Sequence, residues 1–246
     1  VKLSPLFDQS YGQDPCHKFD LYPSAGSTPE APAKTVIIFF HGGSWRRGDK
    51  HSYGFIGRRL AAMGYTAAIP NYRLYPAVTF PAYIEDAAAV TQHIAHTQHP
   101  QQLILMGHSA GGHIAAVLAL DAARYFEALP SPAPRIAGFI GLAGAYNPKV
   151  WRRNAAFGTA DPALWNPLDL VTSSAPPMLL LHGRLDTTVP PNQTLALAQA
   201  VTAVHGRADV HLYALMEHFS ALLPLVPGFG LYTSIRRDIR RFIESL

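Results

Sequence analysis

L-I-L-M-G-H-S-A-G-G-H, residues 103–113, ends four apolar side chains in a glycine and then sets a serine between small neighbours. Leu103 to Met106 read as a strand, and G-H-I-A-A-V-L-A-L at 112–120 reads as a helix. Between them Gly107-His108-Ser109-Ala110-Gly111 has the G-x-S-x-G form expected where a strand turns abruptly into a helix and exposes a nucleophilic serine. Its glycines leave room for close strand–helix packing. The Ala110 N–H lies where negative oxygen charge would develop. Because the pattern also occurs as a plain structural turn, a catalytic reading requires a base, an orienting acid and an oxyanion site elsewhere in the chain.

Outward from this turn, short apolar runs recur. K-T-V-I-I-F-F at 34–40 contains five contiguous apolar residues, Val36 to Phe40, which fit a strand covered on both faces. Similar runs stand at 65–70, 102–107, 136–142, 177–183 and 210–215, with a short strand at 18–23 and a loop at 24–33. Segments at 51–63, 81–96, 110–122 and 192–205 between them have the composition of helices. The alternation predicts β-α units in a three-layer α/β sandwich with a mostly parallel sheet, an open sheet being favoured over a barrel. Residues 143–175, broken by prolines and holding Tyr146, Trp151 and Trp165, read as a cap-like excursion within one domain spanning 1–246.

Composition narrows the classes. A chain of 246 residues buries about three-quarters of its unfolded surface around one core. Hydrophobic residues at 48% and charged residues at 15% exclude a disordered polyelectrolyte, and a mean hydropathy of +0.06 comes without an uninterrupted membrane-spanning stretch. Twenty Lys and Arg against sixteen Asp and Glu leave a modest excess of +4, densest in I-R-R-D-I-R-R-F-I at 235–243, which reads as a solvated terminal helix. Nucleic acid and integral membrane association are therefore not expected. Cys16, the single cysteine, has no internal partner for a disulfide. Residues 1–7 lack the features of a signal peptide, so a cytoplasmic protein is expected, with secretion after leader removal as the alternative.

The missing catalytic parts have candidates at strand ends. Asp186, in H-G-R-L-D-T-T-V-P after the 177–181 strand, is the expected acid, ahead of Asp161 and Asp169 in proline-rich settings. His218, in L-M-E-H-F-S after the last strand, is the expected base. His41-Gly42-Gly43-Ser44-Trp45 follows the Val36–Phe40 strand. The N–H groups of Gly43 and Ser44 are expected to join that of Ala110 in an oxyanion hole, with His41 organising the loop. The order Ser109, Asp186, His218 is the order of α/β-hydrolases.

With H-G-G-S-W at 41–45, N-Y-R at 71–73, G-H-S-A-G-G-H at 107–113, H-G-R-L-D-T-T-V-P at 182–190 and E-H-F at 217–219, the chain resembles the α/β-hydrolase superfamily. The resemblance is to its H-G-G-x-W carboxylesterases, a group with hormone-sensitive-lipase-like, feruloyl-esterase-like and kynurenine-formamidase-like members. It implies a serine carboxylesterase that forms an acyl-enzyme and needs neither metal nor organic cofactor. The short segment before Val36 has no counterpart of the long amino-terminal cap helices of many relatives. A small cap and a small, short-acyl ester are therefore expected, with Trp45, Tyr72, Trp151 and Trp165 as candidate substrate-bordering aromatics. The alternatives are an arylformamidase, a feruloyl or sugar-acetyl esterase, and a catalytically silent binding protein; the oligomeric state is open.

Overall fold

Alternate residues of the first long apolar run part to opposite sides of a sheet. In a computed structural model, which describes residues 4–24, 34–129, 133–147, 155–226 and 233–246, Val36, Ile38 and Phe40 enter one core while Ile37 and Phe39 enter another. The same division holds in the elbow strand, with Leu103 and Leu105 on one side and Ile104 and Met106 on the other. A side-chain period of two with both faces apolar forces cover on both faces.

Eight strands supply that sheet: β1 (Leu6–Ser10), β2 (Lys18–Tyr22), β3 (Thr35–Phe40), β4 (Thr66–Pro70), β5 (Gln102–His108), β6 (Ile136–Leu142), β7 (Met178–Gly183) and β8 (Ala208–Tyr213). Their spatial order is β1-β2-β4-β3-β5-β6-β7-β8. The six from β4 to β8 pair in parallel, and β1 and β2 form an antiparallel margin. One face is covered by α2 (Ala82–Gln98), α3 (Ala110–Leu120), α4 (Ala122–Glu127) and α6 (Asn192–Ala203), the other by α1 (Gly54–Ala62) and α7 (Thr233–Glu244). A four-residue helix, α5 (Pro162–Trp165), lies in the excursion. The expected three-layer arrangement is thus present, and all parallel strands point their carboxyl ends to one edge, where ligands bind in open α/β sheets.

Several boundaries differ from the expectations. β1 was not anticipated: every residue of L-F-D-Q-S is exposed, so no apolar period marks it, and an irregular register against β2 blunts this edge. The helix expected at 51–63 divides into a 3-10 turn (Lys50–Tyr53) and α1, and the one expected at 110–122 stops at Asp121 before α4 begins. Buried Lys50 places its ammonium 2.7 Å from Asp20 and 2.7 Å from Asp8, tying the β1–β2 hairpin to the chain beyond β3. α7 buries Ile235, Ile239 and Phe242, as its helical spacing requires. Among the described residues no helix is long and apolar enough to cross a membrane.

Candidate active site

Ser109 stands between β5 and α3 with φ 55° and ψ −121°, a conformation that an L-residue adopts at a cost. The surroundings hold it there: its N–H donates to the Leu142 carbonyl at 3.0 Å, and its carbonyl accepts from the His113 N–H at 3.1 Å. Gly111 shows why the turn needs small residues, since a Cβ there would stand 2.1 Å from the Phe40 carbonyl oxygen. α3 can therefore start directly against the end of β3. Ala110 is its first residue, and the positive end of the helix dipole falls beside the serine.

Asp186 and His218 come from the turns after β7 and β8 and meet at the serine. The distance from His218 Nε2 to Ser109 Oγ is 2.8 Å, and from His218 Nδ1 to Asp186 Oδ2 it is 2.7 Å. A carboxylate accepts only, so Nδ1 carries the proton and Nε2 is left to accept from the serine hydroxyl. Asp186 Oδ1 accepts from the Thr188 and Val189 N–H groups at 2.9 and 2.8 Å. Burial works to raise the Asp186 pKa, but hydrogen bonds from His182, His218 and the Val189 N–H outweigh it and hold the carboxyl well below its ordinary range. The rival aspartates serve locally: Asp161 caps α5, and Asp169 accepts from Asn166.

Two further histidines lie against this assembly. His108 Nε2 is 3.1 Å from the His218 carbonyl, so that nitrogen donates. Burial lowers the His108 pKa to about 3, which keeps the ring neutral. His182 Nε2 approaches Asp186 Oδ2 at 3.1 Å from behind. Phe219, 65% exposed, sets its ring 5.1 Å from that of His218 and nearly perpendicular to it.

The H-G-G-S-W loop reaches the serine from the other side. A Cβ on Gly42 would lie 3.2 Å from Ser109 Cβ, so this backbone passes directly beside the serine. Gly43, Ser44 and Trp45 all have positive φ, and the Gly43 carbonyl accepts from the N–H groups of Arg46 and Arg47. Gly43 is required here: at φ 134° an added Cβ would stand 1.8 Å from the Arg47 carbonyl oxygen. His41 is the loop's organiser. Its Nδ1 donates to the Gly42 carbonyl at 2.9 Å, its ring stacks on Tyr72 at 4.4 Å, and burial lowers its pKa to about 4.

The N-Y-R segment fastens the same loop. Asn71 Oδ1 accepts the Lys50 N–H, the Tyr72 hydroxyl donates to the His41 carbonyl at 2.7 Å, and Arg73 pairs with Asp86 on α2. Tyr72 is thus a buried strut beneath the loop. Trp45 and Trp165, also expected to border the substrate, are likewise almost wholly enclosed. Trp45 packs edge-on against Phe157 at 4.8 Å and His113 at 5.2 Å, while Trp165 stacks on Phe157 at 4.2 Å and donates to the Ala160 carbonyl. Large rings with this much apolar area are more stable in a core than at a wet surface, and here they hold the excursion down. Trp151, the remaining aromatic candidate, lies outside the described residues.

The fold is the α/β-hydrolase fold: esterase B from Lactobacillus rhamnosis superposes with a TM-score of 0.83 at 21% identity, covering 98% of this chain and 85% of that one. The isoprenylcysteine alpha-carbonyl methylesterase ICME of Arabidopsis thaliana is 26% identical over 87% of this chain and 56% of its own length. Kynurenine formamidase of Danio rerio is 31% identical over 58% of this chain and 46% of its own. The chain therefore spans about half the length of the curated relatives it matches. A family model described as BD-FAE matches residues 19–134, with the H-G-G-S-W loop and the elbow inside it. A second, serine hydrolase (FSH1), matches 81–212, more than half of the chain and the part that carries both Ser109 and Asp186. A nucleophile elbow on a sheet of this topology, matched over that stretch, makes the chain a member of the serine hydrolase (FSH1) family.

Proposed function

We propose that the protein is a serine carboxylesterase acting on small, short-acyl carboxylic esters. The observation that carries this reading is the unbroken line from Asp186 through His218 to Ser109, with spacings of 2.7 and 2.8 Å. Ser109 Oγ attacks the ester carbonyl carbon as His218 Nε2 takes its proton, and the N–H groups of Gly43, Ser44 and Ala110 receive the oxyanion. His218 then protonates the leaving alcohol. Water enters, loses a proton to the same nitrogen, and releases the acid from the acyl-enzyme.

The short-acyl preference is supported by the excursion, whose helical pieces among the described residues are a 3-10 turn at Ala155–Phe157 and the four-residue α5. Acting as a cap, these short pieces leave little chain from which to build a long acyl tunnel. A second reading, hydrolysis of an aryl formamide, is favoured by the likeness to the Danio rerio kynurenine formamidase. The same residues perform it, with an amine as leaving group.

Fluorophosphonate labelling of Ser109 tests the machinery, and parallel turnover tests the substrate. The panel is p-nitrophenyl esters of graded acyl length, an isoprenylcysteine methyl ester, a feruloyl ester, an acetylated sugar and N-formylkynurenine. Highest kcat/KM on the acetyl and butyryl esters is expected. A preference of roughly 1,000-fold for the formamide, above the 10- to 200-fold that one methylene distinguishes, establishes the second reading instead. No labelling and no turnover by folded protein would defeat both.

A further inference from the structure

The proposed steps use one hydrogen bond to Asp186 Oδ2, yet that oxygen has a second partner. His182, next to last in β7, is fully buried in a run, M-L-L-L-H-G, whose other side-chain-bearing members are all apolar. A polar ring at such a place is costly unless its nitrogens are bonded. They are: Nε2 lies 3.1 Å from Asp186 Oδ2 and 2.8 Å from the Val189 carbonyl, and Nδ1 lies 2.6 Å from Thr194 Oγ1 on α6. Both neighbours of Nε2 can only accept, so Nε2 carries a hydrogen. In the neutral ring Nδ1 then accepts from the Thr194 hydroxyl. A side chain on a neighbouring helix thereby fixes which nitrogen faces the acid.

The consequence for Asp186 is geometric. Its Oδ1 is held by two backbone N–H groups and its Oδ2 by two imidazoles. With donors on both oxygens from three directions, the carboxylate has no freedom to turn about its Cβ–Cγ bond. We infer that His182 is a positioning residue for the reaction, holding Asp186 in the plane where Oδ2 receives the His218 Nδ1–H, with Thr194 selecting the tautomer that does so. This rests on the triad reading above, since His182 touches neither the serine nor the substrate. A merely structural His182 would fill the same volume without its effect passing through Asp186, and that is the difference to measure.

The experiment compares His182→Leu, His182→Gln and Thr194→Val, with the first also placed in an Asp186→Asn background. The readouts are kcat/KM on a short p-nitrophenyl ester and the second-order rate of Ser109 labelling by a fluorophosphonate, with thermal denaturation as the check on folding. Loss of a hydrogen bond to a charged acceptor predicts rates about 10- to 100-fold lower for His182→Leu. His182→Gln, which keeps an N–H at the Nε2 position, should recover most of that loss, and Thr194→Val should fall between the two. In the Asp186→Asn background the leucine substitution should cost no more than about 2-fold, because no carboxylate remains to be held. Wild-type rates for His182→Leu, a glutamine variant no better than leucine, or an equal loss in both backgrounds would each overturn the inference. Where His182→Leu does not fold, the glutamine and Thr194→Val variants decide by the same criteria. A wild-type Ser109 that reacts with no probe would overturn the triad itself, and this inference with it.

Discussion

The two sides of Ser109 are built on different plans. On one, Asp186 and His218 meet through side-chain hydrogen bonds, and both carboxylate oxygens of the acid have named donors. On the other, the H-G-G-S-W loop presents main chain, bent by three successive positive φ angles and propped from beneath by His41 and Tyr72. The first side depends on the chemical identity of its residues, and the second on the absence of a Cβ and on packing. A substitution therefore damages the two sides for different reasons and by different amounts.

The largest effect is expected on the side-chain plan. Asp186→Asn keeps the shape of the acid but removes its charge and its control of the tautomer, and kcat should fall by about 10⁴-fold while the melting temperature changes little. Steady-state kinetics beside a thermal scan measure both. An unchanged kcat would mean that the hydrogen-bonded side is not the catalytic one.

Gly43→Ala probes the main-chain plan. With φ at 134° and a new Cβ directed at the Arg47 carbonyl, the loop must shift, and kcat should fall by about 10²- to 10³-fold, the cost of one misplaced oxyanion donor. Loss of turnover with the shape of the pH profile unchanged would separate the two plans. Full activity would remove the loop from the reaction.

The smallest effect falls on both sides alike. Burial lowers the pKa of His41 to about 4, of His108 to about 3 and of His113 to about 4, against an ordinary 6.5. Below 6.5 the unfolded chain takes up protons that the folded chain refuses. The stability these residues contribute is therefore complete above 6.5 and is lost as the pH falls towards the folded values. The expected loss is on the order of 1 kcal/mol per pH unit for each histidine. Chemical denaturation between pH 7.5 and 5 measures the slope. His41→Asn on one side and His108→Gln on the other, which keep the donated N–H but do not titrate, should each flatten it by about one proton.

The sheet, and the three side chains that meet at Ser109, were legible from the sequence because each has a local cause. A run such as Val36–Phe40 has no other stable place than a strand covered on both faces, and G-x-S-x-G between strand and helix leaves its serine at a turn. β1 was not legible, since an exposed edge strand needs no apolar period. Trp45, Tyr72 and Trp165 were expected to border the substrate, but sequence does not reveal which way a ring faces, and all three are packed in the core. His108 and His182 were quoted only as members of motifs, with no role of their own. The signal for His182 was present in its setting, a polar residue closing a buried apolar run four positions before the acid.

One further contact governs how the site tolerates motion. His108 immediately precedes Ser109 in the chain and grips the carbonyl of His218. Nucleophile and base thus hang from a common mount, although more than a hundred residues of sequence separate them. The turn after β8 cannot shift away from the end of β5 without breaking this hydrogen bond, so the spacing between Ser109 and His218 is fixed through main chain as well as through their own contact.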